Sequence, residues 1–205
     1  MNVLLVVDIQ NDFLPGGALA VPDGDKVIPI INRLVEHFDL ILATQDWHPA
    51  NHGSFAANHP NRHPGEVIDL NGTMQILWPI HCVQESPGAD FSTQLRTDRF
   101  AKVFRKGIDP AIDSYSSFFD NARKRSTGLS DYLRERKINE LFICGLATDY
   151  CVKFSVLDST SLGIRTSVIA DACRGVNLKP DDSATAIAEM RKAGASIIES
   201  ADIGR

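Results

Sequence analysis

The chain has 205 residues, of which 43% are hydrophobic and 23% are charged, and these values favour one folded globular domain over residues 1–205. Its formal net charge of −5 and its lack of a lysine and arginine cluster argue against nucleic acid as a partner, because such a chain repels a phosphate backbone. The apolar run at residues 3–7 is too short for a signal peptide or a membrane span, so we expect a cytoplasmic protein with no membrane partner.

Six short runs rich in valine, isoleucine and leucine recur along the chain, separated by segments of helical periodicity. The runs cover residues 3–7, 40–44, 102–105, 141–145, 166–170 and 195–199, and the helical segments cover 26–38, 130–137, 149–162 and 182–193. Continuous apolar runs are typical of strands that are buried on both faces, as in parallel sheets. The order predicts an α/β three-layer sandwich with a six-stranded, mostly parallel sheet flanked by helices.

Residues 45–85 interrupt this alternation with a long segment of little strand or helix period. The segment holds five of the six histidines of the chain. A loop of this length inside a compact domain is usually functional or mobile. We therefore expect a long loop region that carries a metal site.

Three side chains that could take part in catalysis follow predicted strands, two of them directly. Asp8 comes after the first run, Lys106 after the third, and Cys151 just beyond the fourth. Ligands of parallel sheets bind beyond the carboxyl ends of the strands, so these residues are expected to converge. A partly buried Asp8 suits proton transfer and a Lys106 ammonium would favour a thiolate, although each residue alone could be a turn aspartate or a surface lysine.

Cys151 falls in the first turn of a predicted helix that Thr148 or Asp149 could cap. The positive end of that helix would lower the pKa of the thiol, and the amides of Ala147 and Cys151 could hold an oxyanion. The alternative is an inert buried cysteine, which is the interpretation we adopt for Cys144 at the end of its strand. The chain has only four cysteines, widely spaced, so a disulfide framework is not expected (Cys82, Cys144, Cys151 and Cys173).

The loop region contains a candidate metal site. Asp46 and His48 are two residues apart, so in an extended chain both side chains point to one side, and His81 could supply a third ligand. Two imidazoles and one carboxylate leave open positions, as in catalytic sites. Ser54 or water could complete the set and Glu66 is a weaker candidate. The other histidines of the loop are expected at the surface or in support of the ligands (His52, His59 and His63).

Aromatic residues lie near these segments, among them Phe13, Trp47, Trp78 and Tyr115. A flat ring would stack well on Phe13 and Trp78, and Tyr115 is a further candidate for substrate contact, although aromatic residues are more often part of a core.

The motifs together resemble a known family. They are DIQNDFLPGGALAV, TQDWHPANHGSFA, WPIHCVQ, KG followed by DSYSSFFDN, GLATDYCVKF and DACRGV, in this order over nearly the whole chain. The set is similar to the nicotinamidases, which belong to the isochorismatase-like cysteine hydrolases, and looks most like the bacterial nicotinamidase/pyrazinamidase group.

The resemblance implies hydrolysis of nicotinamide to nicotinate and ammonia in NAD salvage, with pyrazinamide as a further substrate. It implies a triad of Asp8, Lys106 and Cys151, a divalent metal on Asp46, His48 and His81, and a cis peptide bond before Ala147. Zinc is the expected ion, with iron and manganese as alternatives, since this ligand set accepts several metals. Monomer and homo-oligomer are both open.

Two other functions compete with this expectation. The first is a different amide hydrolase of the same superfamily. The second is a non-catalytic protein that binds metal or responds to redox state, in which Cys144 and Cys151 could pair.

Overall fold

The six predicted strands form one sheet in the computed structural model, which describes residues 1–204. Every pairing in this sheet is parallel, and the order is β5-β2-β1-β6-β7-β8. The predicted fold class is confirmed. The strands are β1 (Val3–Val7), β2 (Leu40–Asp46), β5 (Phe100–Lys106), β6 (Glu140–Leu146), β7 (Arg165–Arg174) and β8 (Ser196–Ile198).

The centre of the sheet is apolar, and its strands extend further than the apolar runs. All five residues of β1 have no exposed surface, as expected of a central strand that is covered on both faces. Strand β2 continues through Gln45 and Asp46, and β5 continues to Lys106. These polar residues end the apolar pattern before the strand itself ends, so the sheet carries charged groups at its carboxyl edge.

Four α-helices connect the strands and are shorter than the sequence predicts. Segment 26–38 forms α1 with a 3-10 turn on each side, and segment 149–162 begins with one π-helical turn at Thr148–Val152. Strand order reverses between β1 and β6, and crossovers are right-handed, so α1 lies on the opposite face from α3 and α4. The helices are α1 (Ile28–Leu34), α2 (Leu129–Glu135), α3 (Lys153–Ser161) and α4 (Asp182–Lys192).

The long loop is more ordered than the sequence indicates. It contains an antiparallel hairpin of β3 (Val67–Leu70) and β4 (Thr73–Ile76), turned by Asn71 and Gly72. The expectation of little regular structure is therefore wrong for these residues. Four-residue strands with partly exposed faces are too short for a two-residue period to stand out.

The carboxyl ends of β1 and β6 lie side by side at one edge of the sheet, so the residues that follow the two strands begin next to each other. Val7 pairs with Gly145, and from here the chain leaves β1 toward β2 but leaves β6 toward β7. Such a reversal point opens a crevice at the edge of a parallel sheet. Among residues 1–204, no helix has the length and apolar character needed to cross a membrane.

Candidate active site

Asp8 lies at the end of β1 and is fully buried. Its φ of 50° turns the chain out of the strand, which places the carboxylate in the crevice beside β2. The Thr44 hydroxyl donates to its Oδ1 at 2.6 Å. Burial raises the pKa of Asp8, although Lys106 acts in the opposite direction. A carboxyl with a raised pKa is suited to accept and return a proton.

Lys106 joins the groups of the crevice. Its ammonium is completely buried and lies 2.9 Å from Asp8 Oδ2 and 3.3 Å from Cys151 Sγ. It also donates to Asp46 and to the carbonyl of Ser114. Burial alone would lower the pKa of Lys106, but the neighbouring Asp46 and Asp8 carboxylates raise it well above its usual value, so the ammonium stays charged. The sequence did not predict the contact between Lys106 and Asp46.

Cys151 meets the two other residues of the predicted triad. One carboxylate oxygen of Asp8 lies within 4.8 Å of the sulfur. Burial raises the pKa of the Cys151 thiol well above its usual value, and the Lys106 ammonium opposes this only in part. The expected lowering of this pKa is therefore wrong, because desolvation of a thiolate outweighs the field of the helix end. The thiol needs a base, and Asp8 is the carboxylate beside it.

The turn before Cys151 contains a cis peptide bond between Leu146 and Ala147, as the family resemblance implies. Neither expected cap residue caps the helix that follows. Asp149 instead accepts hydrogen bonds from the amides of Val176 and Asn177, at 2.9 and 2.7 Å. It therefore ties the turn to the loop after β7, a role that the sequence did not indicate.

The predicted metal ligands lie together in the structure. Donor atoms of Asp46, His48 and His81 all fall within 4.8 Å of one another, and all three residues are buried. Asp46 Oδ2 lies 3.6 Å from His48 Nε2 and 3.9 Å from His81 Nε2. These distances are too long for hydrogen bonds, yet the donor atoms converge. One carboxylate and two imidazoles of this arrangement fit a divalent cation.

Backbone carbonyls orient both imidazoles toward this point. His48 Nδ1 bonds to Gly107 O at 2.9 Å and His81 Nδ1 bonds to Pro79 O at 2.8 Å. If each Nδ1 carries the proton, each Nε2 presents its lone pair to a metal. Burial, followed by the charge of His48, lowers the pKa of His81 to about 4, which keeps this imidazole neutral at pH 7. A neutral imidazole is the form that binds metal.

The remaining loop residues differ in position. Ser54 is buried, and its hydroxyl lies 2.7 Å from His52 Nδ1. Of the two positions expected for His52, at the surface or beside the ligands, the structure shows the second: it is fully buried, with its ring centre 4.3 Å from that of His48, and its Nε2 has no hydrogen-bond partner within residues 1–204. The four-residue spacing of His48 and His52 could have indicated this contact. Glu66 is paired with Arg62 at 2.9 Å.

A cleft opens onto the Cys151 sulfur and onto two of the predicted metal ligands, Asp46 and His81. The three predicted aromatic residues, Phe13, Trp78 and Tyr115, all line it. The Tyr115 hydroxyl receives a hydrogen bond from Trp78 Nε1 at 3.0 Å, which fixes these two walls relative to each other. Further lining residues were not predicted, because they come from separate segments (Leu19, Asp113, Tyr150 and Val176).

The family follows from comparison with known proteins. The model of the isochorismatase domain matches residues 2–202. The chain belongs to the isochorismatase family. It is 52% identical to the nicotinamidase of Escherichia coli K12 over 205 residues, which cover 98% of this chain and 96% of that protein.

Two solved structures of the family resemble this chain over nearly its full length. A nicotinamidase of an Acinetobacter species superposes with a TM-score of 0.95 at 45% identity, covering 98% of this chain and 97% of that one. A pyrazinamidase of Pyrococcus horikoshii in complex with zinc superposes with a TM-score of 0.78 at 38% identity, covering 97% and 98%.

Proposed function

We propose that this chain is a nicotinamidase, a hydrolase of carbon–nitrogen bonds that converts nicotinamide to nicotinate and ammonia in NAD salvage. Pyrazinamide is proposed as a second substrate, hydrolysed to pyrazinoate. The observation that carries the proposal is the convergence of a buried Asp8, Lys106 and Cys151 with a metal-ligand set around one aromatic cleft. The high identity with a nicotinamidase supports the choice of substrate.

In the proposed reaction, Asp8 takes the thiol proton while the Cys151 sulfur attacks the amide carbon of the substrate. Asp8 then passes this proton to the amide nitrogen, the carbon–nitrogen bond breaks and ammonia leaves. A thioester remains on the sulfur. Asp8 next removes one proton from water as the water oxygen attacks the thioester, the carbon–sulfur bond breaks, and the sulfur takes that proton back from Asp8. The second proton of the water is lost from the product acid to solvent, which gives nicotinate.

Two further elements of this chain stabilise the charges that develop. We assign the amides of Ala147 and Cys151 to the oxyanion of each tetrahedral intermediate, since both lie in the turn that holds the sulfur. Lys106 stays charged throughout, orients Asp8 at 2.9 Å and offsets the negative charge of the sulfur at 3.3 Å.

Asp46, His48 and His81 would hold one divalent cation, and Ser54 remains the proposed fourth ligand. Zinc is our choice of ion, with iron and manganese as alternatives, because borderline ligands of this type accept all three. When bound, the cation supplies a Lewis acid that attracts the pyridine nitrogen of the substrate. The ring itself would lie against Phe13, Trp78 and Tyr115, with its carboxamide toward Cys151.

We also propose that residues 1–205 act as one domain, with residues 45–85 as its metal-site region, and that the protein works in the cytoplasm. All four cysteines are free and buried, which suits a reducing compartment. A small-molecule substrate is the one partner that this function requires.

The decisive experiment measures ammonia release from nicotinamide by the purified full chain, before and after chelation, together with the metal content of the same sample. We expect release that stops on chelation and returns when a divalent metal is added. Activity on another amide but not on nicotinamide would assign the chain to a different amide hydrolase of the family. Metal binding without any amide turnover would overturn the enzymatic proposal.

A further inference from the structure

The Gln10 side chain forms a clamp on the backbone of Asp46. Its Oε1 accepts from Asp46 N–H at 2.8 Å, and its Nε2 donates to Asp46 C=O, also at 2.8 Å. The second hydrogen of Nε2 goes to Ala89 C=O at 2.8 Å. Gln10 is fully buried, and all of its donors are used.

The clamp lies at the end of β2, where β1 no longer pairs with it. Strand β1 pairs with β2 only as far as Val6 and Ala43, and the backbone leaves the strand at Asp8, which has a φ of 50°. On the other side Asp46 is aligned with Lys106 of β5, but its single N–H and its single C=O both face β1. Its N–H and C=O on the β1 side would therefore be buried and unpaired without another group. The carboxamide of Gln10 supplies one donor and one acceptor, as a strand would.

The position of Asp46 matters to both halves of the site. Its carboxylate contacts the Lys106 ammonium and lies among the Nε2 atoms of His48 and His81. Strand β2 ends at this residue, so little else of β2 restrains its backbone toward β1. A side chain that holds Asp46 from this direction sets where its two oxygen atoms point.

We infer that Gln10 is a positioning residue, which aligns the Asp46 carboxylate for the metal and for Lys106 through the backbone of Asp46. The inference rests on the proposed function, because the metal site is part of it. A carboxamide is required at residue 10. A glutamate keeps the acceptor but has no donor for the two carbonyls when it is ionised, and a methionine has about the right length but neither group.

The test compares Gln10→Met and Gln10→Glu with Asn32→Leu as a matched control. Asn32 also uses its amide as a two-sided clamp, with Nδ2 to Gln94 C=O at 2.8 Å and Oδ1 to Arg96 N–H at 2.9 Å, but on α1, outside the site. Each protein is stripped by chelation and titrated with Zn²⁺ alone in competition with a chelating dye. Thermal unfolding midpoints and nicotinamide kinetics at saturating Zn²⁺ are measured on the same samples.

We expect both Gln10 variants to bind Zn²⁺ about 10- to 100-fold more weakly than the unaltered protein, and to lose kcat at saturating Zn²⁺. Asn32→Leu should lower the unfolding midpoint but leave Zn²⁺ affinity and kcat unchanged. If Gln10→Met does not fold, Gln10→Glu decides by the same criteria. A folded Gln10 variant whose Zn²⁺ affinity stays within threefold of normal overturns the inference, as does an equal loss in Asn32→Leu.

These outcomes are separate from a failure of the proposed function. If the unaltered chain neither binds Zn²⁺ nor releases ammonia, the function is wrong and the clamp loses its purpose. If the unaltered chain does both and the Gln10 variants match it, only the role of Gln10 is wrong.

Discussion

At the scale of single residues, the reactive sulfur depends on charged groups that are buried beside it. Lys106 is an ammonium with no exposed surface, and it is stable there because the carboxylates of Asp8 and Asp46 surround it. Desolvation keeps the Cys151 thiol protonated in the absence of substrate. In the proposed mechanism the proton therefore starts on the sulfur, and the Asp8 carboxylate that would accept it lies within 4.8 Å.

Replacement of the sulfur tests this arrangement. We expect Cys151→Ala to reduce ammonia release from nicotinamide at least about 1,000-fold, because no thioester can form. Metal content and ligand binding should persist, since the proposed metal ligands are Asp46, His48 and His81. Cys144→Ala is the matched control, as it removes an equally buried sulfur from the centre of β6 and should keep turnover. Turnover by Cys151→Ala within tenfold of normal would contradict the mechanism.

At the scale of elements, the turn after β5 has a glycine, Gly107, at a position where the His48 ring leaves no room for a side chain. Gly107 has a φ of 64°, and a β-carbon added to it would lie 2.3 Å from Cε1 of His48. The carbonyl of the same residue accepts the hydrogen bond that orients this imidazole. Lys106 is the last residue of β5, and the residue after it, Gly107, orients the predicted metal ligand His48.

A comparison of Gly107→Ala with Gly163→Ala should separate the clash with His48 from the backbone cost of a positive φ. Both glycines have positive φ, so both variants carry the backbone cost of about 1–2 kcal/mol, but nothing lies within 4 Å of a β-carbon at Gly163. Gly107→Ala should in addition weaken metal binding about 10-fold or more, because the methyl group displaces His48. Calorimetric titration with a divalent metal measures the difference. Equal metal affinity in the two variants would show that His48 tolerates the displacement.

At the scale of the whole molecule, the fold lowers the pKa of two of its three buried imidazoles, His52 and His81, and raises that of the third, His48. Burial lowers the pKa of His52 and of His81 to about 4, whereas histidines of the unfolded chain titrate near 6.5. Between these values the unfolded state binds more protons than the folded state. The stability of the metal-free protein therefore falls as the pH is lowered through this window. Two groups oppose the trend because their pKa values are raised in the folded chain. Asp8 opposes it by one proton at most, and His48 opposes it only near the upper end of the window, where His48 of the unfolded chain is not yet fully protonated. Below about pH 6 the two imidazoles outweigh both groups.

Urea denaturation of the chelated protein at several pH values checks this expectation. The free energy of unfolding should decrease from about pH 6 toward pH 4, and His81→Asn should make the dependence shallower, because one of the two imidazoles is gone. A free energy that is constant or rises over this window would mean that these imidazoles are already protonated in the folded chain.

Local sequence patterns were enough to predict the six-stranded, mostly parallel sheet and the candidate groups at its carboxyl edge. Hydrophobic runs report strands that are buried on both faces, and a polar residue directly after such a run is placed at the edge by chain geometry alone. Asp8 and Lys106 could be selected in this way, and Cys151 by its place in the first turn of the helix after its strand. The hairpin of β3 and β4 could not, since its short strands have weak periodicity.

The contacts between these groups, and the pKa values that result from them, could be seen only in the folded chain. Lys106 contacts Asp46, and Gln10 binds the backbone of Asp46, although these residues are far apart in the chain. His52 is buried by segments that its spacing from His48 does not reveal. The pKa of Cys151 was decided in the same way, because helix position predicts a lower value whereas burial produces a higher one. Desolvation depends on every neighbour in three dimensions, and a local sequence pattern contains only a few of them.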